Sequence, residues 1–167
     1  MVVKSTDIDR ARVDLTRLDL AYLGFFLGLR VNELVLEKGV AAGLRGMRES
    51  HGYVVQHLIE SDRSITELAR RMNVSQQAAS KSIAELVKYG VVESRPASDR
   101  RARRIRLSKR GWDAVRSSRR IRRTIEMRLR RAVGEKPYDN AKATLMACLD
   151  ALGGLSRVRT RRIRMPR

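Results

Sequence analysis

The chain has little of what catalysis, disulfide formation or metal binding would use: one cysteine, two histidines and 18 acidic residues among 167. With Cys148 alone, no intramolecular disulfide and no cysteine-based zinc site can form, and a reducing compartment such as the cytoplasm is expected. His51 and His57 are six residues apart, which puts them on different sides of a helix, so they do not form a shared metal site. No Gly-rich phosphate loop, no nucleophile–histidine pairing and no metal-spaced carboxylates occur, so neither enzymatic activity, a metal nor a cofactor is expected. The most apolar run, Leu20 to Leu29, is interrupted by Gly24 and Gly28. It is about half the length that crosses a bilayer. Asp7, Asp9, Asp14 and Asp19 stand before it, where a signal peptide would carry basic residues, so no export and no membrane association are expected.

Positive charge is abundant. Lysine and arginine number 37 and the formal net charge is +19; 30 of the 37 are arginine. Such an excess favours a polyanionic partner and carries no information about fold. Arginine bonds phosphate and guanine edges bidentately, so its dominance over lysine leans toward nucleic acid, with an arginine-rich codon usage as the other source. From Arg95 to Arg131 there are fifteen arginines and one lysine against three acids, which accounts for most of the excess.

Hydrophobic periodicity predicts a mainly α protein with a small β-wing. Leu15, Leu18, Tyr22, Phe25 and Leu29 recur at helical spacing, and Leu23, Phe26, Leu27 and Leu34 widen the stripe until Gly39 ends it. One helix face cannot hold all of these, so the helix is expected to pack on a second chain or on several helices, with Gly24 and Gly28 allowing close approach. Ala41 to Met47 reads as a short helix or turn, and Tyr53 to Ile59 as a compact helix. Further on, Ser108 caps a long helix with Ala114, Ser118, Ile121, Ile125, Leu129 and Ala132 inward. Gly134 and Pro137 end that helix. A last helix from about Asp139 carries Ala141, Leu145, Cys148, Leu152 and Leu155 as a packing seam, which makes Cys148 a small buried hydrophobe. Residues 156–167 hold six arginines and read as a disordered basic tail, with added phosphate contacts as the other reading.

Between these helices lies the stretch with most information. Ser64 and Glu67 make a capping-box pattern that starts a helix with Ile65, Leu68, Ala69 and Met72 inward. Asn73-Val74 is a turn, and Ser75 caps a second helix that buries Ala79, Ile83, Leu86 and Val87 and stops at Gly90. Val91–Arg95 and Arg103–Leu107 are strand candidates around a seven-residue loop. The order is a helix-turn-helix followed by a wing. Burying Ala79, Ile83 and Leu86 exposes Gln76, Gln77, Ser80 and Lys81. Gln bonds adenine bidentately, Lys reaches guanine O6 and N7, Ala78 can touch a thymine methyl, and Ser75 with the helix N-terminus suits a phosphate. In the wing, Asp99 is an acid among bases, suited to holding Arg101 in one pose for a narrow minor groove, while Arg95, Arg100, Arg103, Arg104 and Arg106 are placed for backbone phosphates.

The segment from Ile65 to Gly111, with its D-x-R wing (Asp99, Arg101) and the following L-[ST]-x-x-G (Leu107, Ser108, Gly111), resembles the winged helix-turn-helix of the MarR family of bacterial transcription regulators. The resemblance implies one MarR-like domain over residues 1–167. Within it lie a DNA-binding lobe (49–111), a helical dimerisation lobe (10–39 and 112–155) and the basic tail. It implies a cytoplasmic homodimer binding double-stranded DNA at a pseudo-palindromic operator as a repressor, with Asp99 pairing to Arg101 in the minor groove. The alternative is a nonspecific architectural DNA- or RNA-binding protein. Gln77 and Ala78 stand where the family often has proline and threonine, so no base sequence is carried over. The family's peroxide-sensing branch uses a cysteine near the N-terminus, and this chain has none there. Members often bind a small aromatic or anionic effector between the lobes. Tyr22, Phe26, Arg30, His51 and Tyr53 lie on helices expected to line such a space, with a core or interface role as the alternative for each.

Overall fold

A computed structural model describes residues 13–41, 46–96 and 103–160. After a 3-10 turn at Leu15–Arg17 the elements are α1 (Leu20–Ala41), α2 (Glu49–Leu58), α3 (Ile65–Met72), α4 (Gln76–Lys88), β1 (Val92–Pro96), β2 (Arg103–Leu107), α5 (Lys109–Val133), α6 (Glu135–Ala151) and α7 (Leu155–Arg159). The protein is mainly helical with a two-stranded wing.

Local chemistry explains the helix-turn-helix. The Ser64 hydroxyl accepts the Glu67 N–H at 3.1 Å and the Glu67 carboxylate accepts the Ser64 N–H at 2.7 Å, so two N–H groups at the start of α3 are satisfied reciprocally. Asn73 closes α3 in the left-handed region at φ 54°, which asparagine tolerates better than most residues, and Val74 N–H returns to the Ala69 carbonyl at 3.0 Å. Ser75 then starts α4 by accepting the Ala78 N–H at 3.1 Å.

The core belongs to this lobe: Val54, Leu58, Leu68, Leu86 and Val91 are all at most 3% exposed. β1 and β2 pair antiparallel from Val92↔Leu107 to Pro96↔Arg103, and Arg63 adds a third edge by exchanging both backbone bonds with Ile105. α5 enters the core with Gly111, Ala114 and Val115 and then leaves it to run beside α1, where Ile125 is buried. At the α5–α6 elbow Arg130 binds Glu126, Glu135 and Asp139, and its guanidinium lies 4.4 Å from the Tyr138 ring centroid.

Several expectations are corrected. Leu15 belongs to the 3-10 turn, and α1 starts at Leu20 and runs through Gly39 to Ala41. The Tyr53 helix begins at Glu49. β1 is Val92–Pro96, one residue later than expected; Pro96 fits because it ends the strand. Val87 is 45% exposed, since the step of about 100° beyond the buried Leu86 carries it off the core face. Pro137 does not end a helix; it is the third residue of α6, in a first turn whose N–H groups have no intrahelical acceptor to lose. α6 stops at Ala151, so Leu155 belongs to α7 rather than to a continuous seam. Ser156–Arg159 are helical, whereas residues 161–167 of the basic tail lie outside the described residues. Cys148 is exposed, like every residue of α6 from Asp139 to Ala151.

Candidate nucleic-acid interface

α4 is fixed by its inner face and open on its outer one. Ala79, Ile83 and Leu86 are at most 4% exposed, whereas Ser75, Gln76, Gln77, Ala78 and Lys81 are exposed and Ser80 is half-buried. Since Ser75 caps Ala78, the N–H groups of Gln76 and Gln77, at the first two helical positions, point outward without an intrahelical acceptor. The outer start of α4 therefore presents amide side chains, one ammonium and free backbone donors. These are the groups that read base edges and hold phosphate.

The wing strands' arginines make contacts within the lobe. Arg104 donates to Glu67 at 2.9 Å, Arg106 donates to Glu93 at 2.5 Å, and Arg95 lies 3.4 Å from the same Glu93 carboxylate. Arg103 is exposed and its Nε donates to the Ser94 hydroxyl at 2.8 Å. Strand arginines thus tie the wing to itself and, through Arg104, to the start of α3. Both acids are held below the usual carboxylate range, Glu67 chiefly by the Ser64 backbone bond and Glu93 chiefly by Arg106. Asp99, Arg100 and Arg101 lie outside the described residues.

α4 is also tied from behind, by a contact that sequence reasoning missed. His51 is fully buried; its Nδ1 accepts the Arg48 N–H at 3.1 Å, so Nε2 carries the proton and donates to Glu85 of α4 at 2.8 Å. The Arg48 guanidinium bonds the same carboxylate. Glu85 is accordingly held below its ordinary value, first by the His51 bond and then by Arg48. The available sequence signal was His51 at the third position of α2, where a side chain that accepts from the cap residue closes a capping box.

Between α1, α2 and α5 lies a cleft of about 250 Å³. Val35, Leu36, Val55 and Val115 form part of its apolar wall, and Arg48, Arg119 and Arg122 line it with positive charge. None of Tyr22, Phe26, Arg30, His51 or Tyr53 is among its lining residues. Tyr22 and Phe26 meet edge-on at 4.9 Å on the exposed side of α1, Arg30 pairs with Glu33 and Glu37, and Tyr53 donates to Glu49 at 3.2 Å. His51 serves the Glu85 contact. Among the described residues no group of three or more His, Cys, Asp or Glu is placed to hold a metal ion, and no helix is long and apolar enough to cross a membrane.

Residues 45–102, which include α2 to α4 and β1, match the model of the MarR family. Over that stretch, about a third of the chain, the sequence is similar to the MarR family. Several solved structures share the fold along most of the chain. A MepR variant of Staphylococcus aureus bound to an oligodeoxyribonucleotide superposes with a TM-score of 0.60 at 17% identity, over 81% of this chain and 99% of the other. RV1404 from Mycobacterium tuberculosis gives 0.64 at 19% identity, over 86% and 97%. Apo MarR from E. coli gives 0.61 at 16%, over 79% and 98%. No curated protein matches the sequence. The MarR-type arrangement accounts for the described part of the expected fold, a winged helix-turn-helix joined through α5 to α1 and α6.

Proposed function

We propose that the protein is a sequence-specific, double-stranded-DNA-binding transcription regulator that acts in the cytoplasm as a homodimer. The observation that carries this reading is the outer start of α4, where Gln76, Gln77, Ala78 and Lys81 are exposed on a helix anchored by buried Ala79, Ile83 and Leu86. In this reading α4 enters the major groove, Ser75 and the helix N-terminus hold a phosphate, and Asp99 orients Arg101 for the minor groove.

The second subunit covers the apolar faces that one chain leaves open. Phe25 is 59% exposed, Phe26 and Tyr22 49%, and Met146 of α6 52%. Apolar surface on this scale marks an interaction site. Two lobes related by a two-fold axis read a pseudo-palindrome with half-sites about ten base pairs apart.

The regulator is a repressor released by a small anionic amphipathic effector in the α1–α2–α5 cleft, whose apolar wall and arginines suit such a molecule. Arg48 both lines the cleft and bonds Glu85 on α4, so an anion that competes for its guanidinium loosens the recognition helix.

The test is titration of the protein into labelled duplex from upstream of its own coding region and into random duplex of equal length at physiological salt. Clear preference for the upstream duplex is expected. Equal affinity would replace the specific regulator by a nonspecific architectural protein.

A further inference from the structure

Two groups stand out among the arginines of the described residues. Those that organise the lobe are paired with acids: Arg48 with Glu85, Arg63 with Glu60, Arg104 with Glu67, Arg106 with Glu93 and Arg130 with its three carboxylates. Those on the outer side of α5 are not. Arg123, Arg128 and Arg131 are exposed and have no acidic partner among the described residues, and Arg120 meets only the Ser117 hydroxyl, at 3.5 Å. Arg116, paired with Asp113 at 2.5 Å, completes the row.

This row is a ridge. α5 buries Gly111, Ala114, Val115 and Ile125, and on a helical projection Arg116, Arg120 and Arg123 fall on the opposite side, at spacings of four and three. Like charges at these spacings repel and destabilise the helix that bears them. A second copy of the chain does not relieve that repulsion, because it brings the same charges. The apolar faces suited to self-association lie instead on α1 and α6. What relieves it is a polyanion with closely spaced charges.

We propose that the outer arginine ridge of α5 is a second DNA-contacting surface, which holds the phosphate backbone of the same duplex that α4 reads. The inference rests on the regulator reading. The ridge follows the wing along the chain: α5 begins directly after β2, and its cap residue Ser108 donates to the Gly90 carbonyl at 2.5 Å, at the C-terminal end of α4 rather than the end that reads bases. From Ser108, Arg116 and Arg123 lie about 12 and 22 Å along the helix, so contact requires the duplex to bend toward the protein. Arg116 to Arg123 spans about 10 Å, the length of about three phosphates on one strand.

The experiment measures operator affinity of the full chain against salt concentration. Arg116→Gln, Arg120→Gln and Arg123→Gln together remove three contacts from each subunit of the dimer and should make the slope of log K against log salt shallower by about 5, near 0.9 for each phosphate that is no longer neutralised, with the preference for operator over random duplex unchanged. The Arg120→Gln, Arg123→Gln pair disturbs no acid partner and, at two contacts per subunit, should shift it by about 4. Lysine at the same three positions keeps the charge and should keep the slope. An unchanged slope in the glutamine variants overturns the proposal. So does capture of a second labelled duplex by the operator-bound parent that the glutamine variants lack, because the ridge then serves another molecule. Failure of the parent itself to prefer its operator is read in the same titration and counts against the regulator reading instead.

Discussion

Gly111→Ala should destabilise the junction between the recognition helix, the wing and α5. Gly111 is the third residue of α5, and a Cβ built there would stand 2.1 Å from the Val91 carbonyl oxygen and 3.2 Å from Leu107 Cδ2. Neither neighbour can move alone. The Val91 carbonyl also accepts the Ser108 N–H at 3.1 Å, and Leu107 is 5% exposed in the core. Forcing the methyl in costs about 3 kcal/mol of overpacking and about 1 for the weakened Ser108 bond. Alanine's better helix propensity returns about 1, and partial relaxation about another, leaving a net loss near 2 kcal/mol. For a chain of this size that lowers the melting temperature by about 4–8 °C. Gly52→Ala is the control, because its Cβ meets no atom within 4 Å and the position is helical, so its stability should hold or rise. Thermal unfolding followed by circular dichroism reads both. A Gly111→Ala protein that melts at or above the parent would refute the close-approach argument.

Three further outcomes are expected. Ser75→Ala removes the α4 cap and should cost about 1 kcal/mol in urea unfolding; its operator affinity should fall as well. Glu67 and Glu85 bind protons more weakly folded than unfolded, so their contribution is present above the ordinary glutamate value near pH 4.3 and is lost as pH falls through their lowered folded values. Glu85→Gln should make that acid limb shallower in unfolding experiments run across it, and a limb of equal steepness would contradict the His51–Glu85 assignment. Arg101→Ala should weaken operator binding by about 1–3 kcal/mol if the wing tip enters the minor groove, and unchanged affinity would leave the wing without that role.

The helix-turn-helix could be read from sequence because its signals are local. Ser64 with Glu67, Ser75 with Ala78 and Gly90 at φ 67° act on backbone groups within four residues, and hydrophobic spacing placed Leu68, Ala79, Ile83 and Leu86 inward. Errors arose where a local signal had two meanings. Pro137 is as compatible with the first turn of α6 as with the end of α5. The apolar seam through Cys148 marks a face suited to packing without naming what covers it.

Composition and local periodicity determined the class of protein: a basic, mainly helical chain with a capped recognition helix, a wing and a lone cysteine. Tertiary structure alone decided which arginines pair with acids and which remain open to a polyanion. It also joined His51 and Arg48 to Glu85, placed the cleft among α1, α2 and α5, and closed Gly111 onto Val91. Thirty arginines look alike along the chain, but an ion pair across 37 residues, such as Arg48 with Glu85 or Glu67 with Arg104, exists only after folding brings its partners together. Capping and periodicity act over a few bonds, whereas charge pairing and close packing depend on distances that chain order does not encode.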